Sequence, residues 1–249
     1  MSSNCAGILY LVATPIGNLE DITFRALETL KNCDCIYAED TRHTKGLLEK
    51  FSITKRMESY HSFNEHGKTE TILKRVLEGE KAALVTDAGM PCIADPGFLL
   101  VREAVKLGVD IVIIPGVSSL TFAVAASGLP SDKFSFYGFL PVKSGRRKST
   151  LEAAAKEGKS VVFFESPYRM GKLLVSLEEI FGPDSSIAII REATKIHEEV
   201  IRGKTGEVAS LSKDRNWKGE HVVVIHPADT RDLPEEDEEE ETAPCPGRN

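Results

Sequence analysis

The sequence predicts an α/β protein made of two α/β domains with a cleft between them, followed by an acidic tail. Three observations carry this. Short apolar runs alternate with segments of helical period. Strands such as Ile111–Pro115 are almost continuously apolar, as in a parallel sheet covered on both faces. Several strands run directly into Gly/Pro-rich loops, the kind that carry ligands at the edge of such a sheet.

Strands are expected at Ile8–Ala13, Asp34–Ala38, Lys81–Thr86 and Val109–Pro115, bounded by turn residues. Helices are expected at Ile22–Asn32, Glu65–Leu77 and Phe98–Leu107, where apolar positions recur every three to four residues. After Pro115–Gly116 a helix Val117–Ser127 opens the second half. Strands follow near Phe134–Phe139, Ser160–Glu165, Ser186–Arg191 and His221–His226. Helices near Lys148–Lys156 and Arg169–Phe181 and a short amphipathic piece near Gly206–Leu211 lie among them. Hairpin-like connections predict a mixed sheet here. The expected division is 1–116, 117–228 and a tail 229–249.

The 249 residues are 41% hydrophobic and 28% charged, ordinary for a globular protein. No apolar run approaches the roughly 20 residues of a membrane span. Met1–Gly7 has neither a basic n-region nor an apolar h-region, so no secretory signal and a cytoplasmic location are expected. The five cysteines are sparse. Cys33 and Cys35 form a C-x-C without a zinc partner pair. They are expected to point the same way from a strand, as buried reduced thiols.

The net charge of −7 argues at first against nucleic acid. Yet residues 229–249 hold nine acids and two bases, a net of −7 that accounts for the whole excess. The body is therefore neutral, and its partners must be judged from local patches. The Glu-rich, Pro-containing tail is expected to be disordered.

No G-x-G-x-x-G follows the first strand, and there is no P-loop or G-x-S-x-G elbow. The six histidines have no metal-ligand spacing, so no metal is expected. These absences weaken dehydrogenase, NTPase, hydrolase and metalloenzyme readings.

Three strand-end loops remain. Ala13–Thr23 contains Pro15, Ile16 and Gly17, and reads either as a close-approach ligand loop or as a β–α connection capped by Asp21. Thr86–Gly97 is a long Gly/Pro-rich loop with two acids, able to bring backbone and carboxylates to a ligand. Ile114–Ser119 opens a helix, which Ser118 or Ser119 caps or uses to meet a ligand. Mixed acid–base clusters follow at Glu39–Arg42, Tyr60–Glu65, Glu165–Arg169 and Arg191–Lys195. The run Lys143, Arg146, Arg147, Lys148 reads as a solvated loop or a phosphate-binding edge beside Phe134–Phe139.

The ordered set YLVATPIGNLEDIT, AEDTRHT, YHSFNE, TDAGMPCIADPG, IPGVSS, FYGFLP, FESPYR, REATK and GEHVVVI resembles the tetrapyrrole-methylase superfamily, and within it the rRNA 2′-O-methyltransferases. The resemblance covers residues 8–226. It implies two α/β domains of the tetrapyrrole-methylase type with S-adenosylmethionine in the cleft between them. It implies 2′-O-methylation of a cytidine ribose in 16S rRNA. Carried over by motif, the cofactor meets Pro15 and Ile16, then Asp87, Gly89, Met90, Pro91 and Ile93, then Ser118 and Ser119, and finally Phe164 and Ala193. The sequence departs from the pattern at Met90, where threonine is usual, and in the acidic tail that stands where many relatives carry a small helical domain.

Methyl transfer from a sulfonium needs an aligned nucleophile, and alignment alone is worth roughly 7–11 kcal/mol. Lys195 and Glu165 are the catalytic candidates, because both end second-domain strands at the expected cleft. Lys195 serves as a base if its pKa is depressed, or else as an electrostatic orienter. Arg42, His61 and Arg169, with Lys143, Arg146, Arg147 and Lys148, are expected to hold RNA. The expected partners are 16S rRNA or the small ribosomal subunit and, in a homodimer, a second copy of the chain; no membrane is expected. The alternatives are a tetrapyrrole C-methyltransferase on the same fold and a non-catalytic RNA-binding module.

Overall fold

The computed structural model describes residues 7–211 and 215–228. The expected tail 229–249 lies outside them. Five strands form the first sheet: β1 (Ile8–Val12), β2 (Cys35–Ala38), β3 (Arg56–Ser59), β4 (Lys81–Val85) and β5 (Asp110–Ile114), in the order β3-β2-β4-β1-β5 and all parallel. Parallel pairing requires crossovers, and helices supply them on both faces. The first two helices, α1 (Phe24–Asn32) and α2 (Thr41–Lys50), cover one face, where Leu30, Leu48, Ile36 and Val85 pack together. The opposite face is closed by α3 (Glu65–Leu77) and α4 (Phe98–Lys106), which bury Leu9, Tyr37, Leu84 and Leu100.

Helix α5 (Ser119–Ser127) leaves the first sheet and packs on the second, against Val162, Ile190 and Val222. It ends at Gly128, whose φ of 72° is the left-handed cap conformation. The second sheet contains β6 (Phe134–Phe139), β7 (Ser160–Glu165), β8 (Ser186–Arg191), β9 (Glu199–Lys204) and β10 (His221–His226), in the order β6-β7-β10-β8-β9. Strand β6 is parallel to β7 and the other pairs are antiparallel, so the sheet is mixed, as expected. The face away from α5 is covered by α6 (Ser144–Ala155), α7 (Met170–Phe181) and α8 (Thr205–Leu211), over a core that includes Leu151, Phe163, Leu173 and Val223.

Several local expectations need correction. Helix α2 and strands β3 and β9 were not expected. Only Thr44, Leu47 and Leu48 of α2 are buried, and β3 and β9 are edge strands, so none carries a continuous apolar signal. Helix α1 is capped by Thr23, whose side chain accepts from the Ala26 amide; Asp21 instead ends a 3₁₀ turn that Asn18 caps. Cys33 and Cys35 face opposite sides of the first sheet, because Cys33 terminates α1 and only Cys35 lies in β2. The basic run is not a loop. Residues 144–148 form the first turns of α6, which begins four residues earlier than expected.

Candidate active site

The three strand-end loops meet at the C-terminal edge of the first sheet. The Thr14 amide donates to the Gly89 carbonyl at 2.9 Å, and the Gly89 amide returns a bond to the Thr14 carbonyl at 3.0 Å. The Thr14 hydroxyl donates to the Thr86 carbonyl at 3.0 Å. The loop after β1 is thus stitched to the loop after β4. The third loop lies as close: a Cβ on Gly116 would sit 2.9 Å from the Ala13 Cβ.

The second sheet closes over this edge. The Asn18 amide donates to the Thr194 hydroxyl at 3.1 Å. A Cβ on Gly17 would fall 2.4 Å from Lys195 Cγ, so glycine is what lets the two halves approach here. Between the halves lie two adjoining cavities of about 330 and 400 Å³, which share Ile16, Ala88 and Glu220. Both are within the size range of small-molecule sites. The inner cavity has an apolar wall of Phe139, Phe164, Ile190, Ala193 and Val222. Its neighbour is more polar, bounded by Pro15, Thr86, Asp87 and Lys195. An outer cavity of about 410 Å³ joins the inner one through Ala94 and Asp95, and reaches Ser62, His66 and Arg102.

The polar groups of the cleft are strongly organised. Glu165 is buried at the end of β7, where Oε1 accepts from Arg169 Nη2 at 2.6 Å and from the Ser166 amide at 2.8 Å. Its Oε2 is buried without a partner. Directly across the ladder stands His221, also buried, with neither ring nitrogen partnered. Burial, and then the charge on Arg191, hold the His221 pKa down at about 4, so its ring is neutral at pH 7. Orphaned buried polar atoms beside a cavity mark a place where a polar ligand group is accommodated.

Lys195 behaves differently from one of its expected roles. Its Nζ donates to Glu220 Oε2 at 2.9 Å and to Glu192 Oε1 at 3.0 Å. Burial alone would lower its pKa, but these two carboxylates outweigh burial and raise it. Lys195 therefore stays an ammonium, which corrects its reading as a base and leaves that of an electrostatic orienter. Arg169 also needs correction as an expected RNA contact: its guanidinium turns inward to Glu165 and to the Leu140 carbonyl.

Of the expected cofactor residues, Pro15, Ile16, Asp87, Ser119, Phe164 and Ala193 line the two cleft cavities. Gly89, Met90, Pro91, Ile93 and Ser118 do not. Gly89 is committed through its backbone to Thr14, and Met90 packs on the core of the first sheet. Arg42 is largely exposed and grips Asp40 through Nε and Nη2. His61 is held by Asn64, whose Oδ1 accepts from the His61 amide at 2.9 Å. Lys143, Arg146 and Lys148 are exposed at the start of α6, and Arg147 is half-buried.

Sequence reasoning missed Asp95, Glu220 and His221. Asp95 lay within a loop already singled out. His221 opens the GEHVVVI strand, and its only signal was a polar residue leading a fully apolar run.

A cofactor-sized cleft between a parallel and a mixed sheet, roofed by strand-end loops, defines a class, and residues 8–209 match the Tetrapyrrole (Corrin/Porphyrin) Methylases. The chain belongs to that family. Among its curated relatives is a protein of Thermotoga maritima, 48% identical over 88% of this chain and 98% of its own length, named ribosomal RNA small subunit methyltransferase I. Proteins of the same name from Escherichia coli O157:H7 and Bacillus subtilis are 44% and 42% identical, over 94% and 95% of this chain and 83% and 80% of their own. Solved structures of the same fold include uroporphyrin-III-C-methyltransferase of Thermus thermophilus, with a TM-score of 0.62 at 20% identity over 89% of this chain and 94% of that one. A cobalt precorrin-4 methyltransferase matches with a TM-score of 0.64 at 20% identity, over 88% and 94% of the two chains. No helix among the described residues is long and apolar enough to cross a membrane.

Proposed function

We propose that the chain methylates the ribose 2′-oxygen of a cytidine in 16S rRNA of the small ribosomal subunit, with S-adenosylmethionine as methyl donor. The observation that carries the reading is the joined cleft, built by the same loops that carry the rRNA methyltransferase motifs. The relatives' shared name supports the substrate class.

The residues present fit this cofactor. An apolar wall that includes Phe139, Phe164 and Val222 suits a purine ring, and the orphaned atoms of Glu165 and His221 lie beside it. Asp87 and Glu220 suit a sulfonium or ammonium, and the Lys195 ammonium suits a carboxylate. When bound, S-adenosylmethionine supplies a methyl group on positively charged sulfur. The chain's own contribution is to exclude water with its apolar wall, to orient through Lys195 and the stitched loops, and to counter the sulfonium charge with its carboxylates. Exposed Arg42, Lys143, Arg146 and Lys148 would meet RNA phosphates, with His61 as a further RNA contact.

The proposal divides the chain into two halves after Gly116, and the packing of α5 on the second sheet supports it. A homodimer is part of the proposal. Phe24 is 90% exposed, as are in part Val112 and Ile113 of the edge strand β5, and a second copy would cover apolar side chains of this kind. A reducing cytoplasm fits the free thiols of Cys33, Cys35 and Cys92. The test is transfer of labelled methyl to small-subunit particles that lack the modification, with uroporphyrinogen as the competing acceptor. Label in RNA is expected; label only in the tetrapyrrole overturns the reading.

A further inference from the structure

With Lys195 fixed as an ammonium, the proton of the attacking hydroxyl needs another destination. Three carboxylates stand where the first sheet meets the cleft, and two of them are tied to backbone. The Asp40 amide donates to Asp87 Oδ1 at 3.1 Å, and the Asp87 amide lies 3.5 Å from Glu39 Oε2. The third, Asp95, has no hydrogen-bond or ion-pair partner among the described residues. It lines both the inner cavity and the outer one, whose wall also carries Glu39, Glu65, His66 and Arg102, and so stands where the two join.

The loop that presents Asp95 is held in an uncommon backbone shape. Cys92 and Ala94 adopt φ of 73° and 66°, and Gly97 adopts 131°. A Cβ at Gly97 would fall 2.7 Å from Cys92 Sγ. Such conformations cost about 1–3 kcal/mol each for non-glycine residues and persist where the surroundings enforce them.

We propose that Asp95 is the general base that accepts the proton of the ribose 2′-hydroxyl during methyl transfer, a role that rests on the rRNA reading above. The O–H bond breaks as the oxygen bonds to the methyl carbon. The carbon–sulfur bond breaks with its electron pair passing to sulfur, which leaves as a neutral thioether. The proton ends on the Asp95 carboxylate, so a cation and an anion are both neutralised in the step.

The surroundings suit this chemistry. Burial, and then the negative charges of Glu39 and Asp87, push the Asp95 carboxyl up to about 7. A base of that strength is about half ionised near neutral pH and accepts a proton far more readily than an ordinary carboxylate. The other charged or titratable groups facing it are Cys92 in its own loop, Glu65, His66 and Arg102 around the outer cavity, and Glu165, Glu220 and His221 across the inner one. Of these, Arg102 pairs with Glu103, Glu165 with Arg169, and Glu220 with Lys195.

The test uses the full chain in two measurements. In carbon-13 carboxyl spectra without ligand, one aspartate should titrate near 7, vanish in Asp95→Asn, and move to lower pH in Glu39→Gln, where a like charge is removed. In methyl transfer to small-subunit particles, Asp95→Asn should lose about 10²–10⁴-fold in kcat, with affinity for S-adenosylhomocysteine retained. Glu39→Gln should move the acid limb of the pH–rate profile to lower pH, which a merely structural role would not do. Wild-type kcat in Asp95→Asn, or an Asp95 that titrates in the ordinary carboxylate range, overturns the proposal. A wild-type chain that methylates RNA alongside an equally active Asp95→Asn sinks Asp95 alone. A wild-type chain that methylates no RNA sinks the rRNA reading, and the role of Asp95 falls with it.

Discussion

The backbone amide of Asn18, in the turn after the first strand, donates to the hydroxyl of Thr194, in the turn after β8, at 3.1 Å. This bond joins loops from the two sheets at the rim of the cleft. Thr194 holds a φ of 65° to make it, and its own amide donates to Glu198 at 2.6 Å. The cleft is therefore a product of both halves, and its width depends on contacts far from its cavities in sequence.

Gly17→Ala tests that dependence. The new methyl would collide with Lys195 Cγ and lie 2.9 Å from the Thr194 hydroxyl. Overpacking of this kind typically costs about 1–3 kcal/mol, here felt as separation of the halves. Calorimetry should show S-adenosylhomocysteine binding weakened by about tenfold or more, since each 1.4 kcal/mol is tenfold. Unchanged affinity would mean that the Asn18–Thr194 clasp does not set the site.

Arg169→Ala should be costly to the fold. It leaves the buried Glu165 carboxylate with only the Ser166 amide as partner. Breaking a buried ion pair costs about 3–5 kcal/mol, so the denaturant midpoint should fall sharply. The double variant Arg169→Ala/Glu165→Gln should recover much of the loss, because no unpaired charge remains. A single variant as stable as the parent would contradict the burial described for Glu165.

His221 should make the protein acid-sensitive. Its folded pKa, about 4, lies below its ordinary value of 6.5. The unfolded chain therefore binds the extra proton first, and stability falls as pH drops from about 6.5 through about 4. Asp95 acts in the opposite sense: its raised pKa makes stability rise as pH falls from about 7 toward 4. Between about pH 6.5 and 4 the two contributions oppose each other in the parent, so melting temperature should rise more steeply toward acid in His221→Gln and fall more steeply toward acid in Asp95→Asn, which should stabilise most above pH 7. Parallel curves for all three proteins would refute both assignments.

Arg146→Ala/Arg147→Ala probes the basic start of α6. Each lost phosphate contact should reduce the salt slope of RNA binding by roughly 0.7–0.9. RNA affinity should fall and its salt dependence flatten, while S-adenosylhomocysteine affinity stays the same, because α6 does not line the two cleft cavities. The half-buried Arg147 predicts that most of the effect comes from Arg146. Equal RNA binding at every salt concentration would make this a solvated helix end.

Central strands were readable because burial on both faces writes a continuous apolar run, and β7, β8 and β10 fall where that run predicts them. Of the edge strands, β5 and β6 could be read from their apolar and aromatic runs, but Arg56–Ser59 and Glu199–Lys204 could not, since they mix charged and polar residues with few apolar ones and look like loops. The strand-end loops could be located from Gly/Pro content, but the direction in which each residue faces could not. Met90 turns into the core while Asp95, five residues on, faces two cavities. That choice is made by the Thr14–Gly89 bridge and the left-handed turns at Cys92 and Ala94, which arise from contacts distant in sequence. The state of Lys195 was hidden for the same reason: Glu220 lies 25 residues away along the chain.

The position of the transferred methyl group decides between ribose and other acceptors. The wild-type chain would be incubated with labelled S-adenosylmethionine and unmodified small-subunit particles, and the 16S rRNA digested to nucleosides for mass spectrometry. Label is expected in 2′-O-methylcytidine, one per particle at saturation. Label on a base carbon or nitrogen, or transfer to uroporphyrinogen with none to RNA, would contradict ribose methylation.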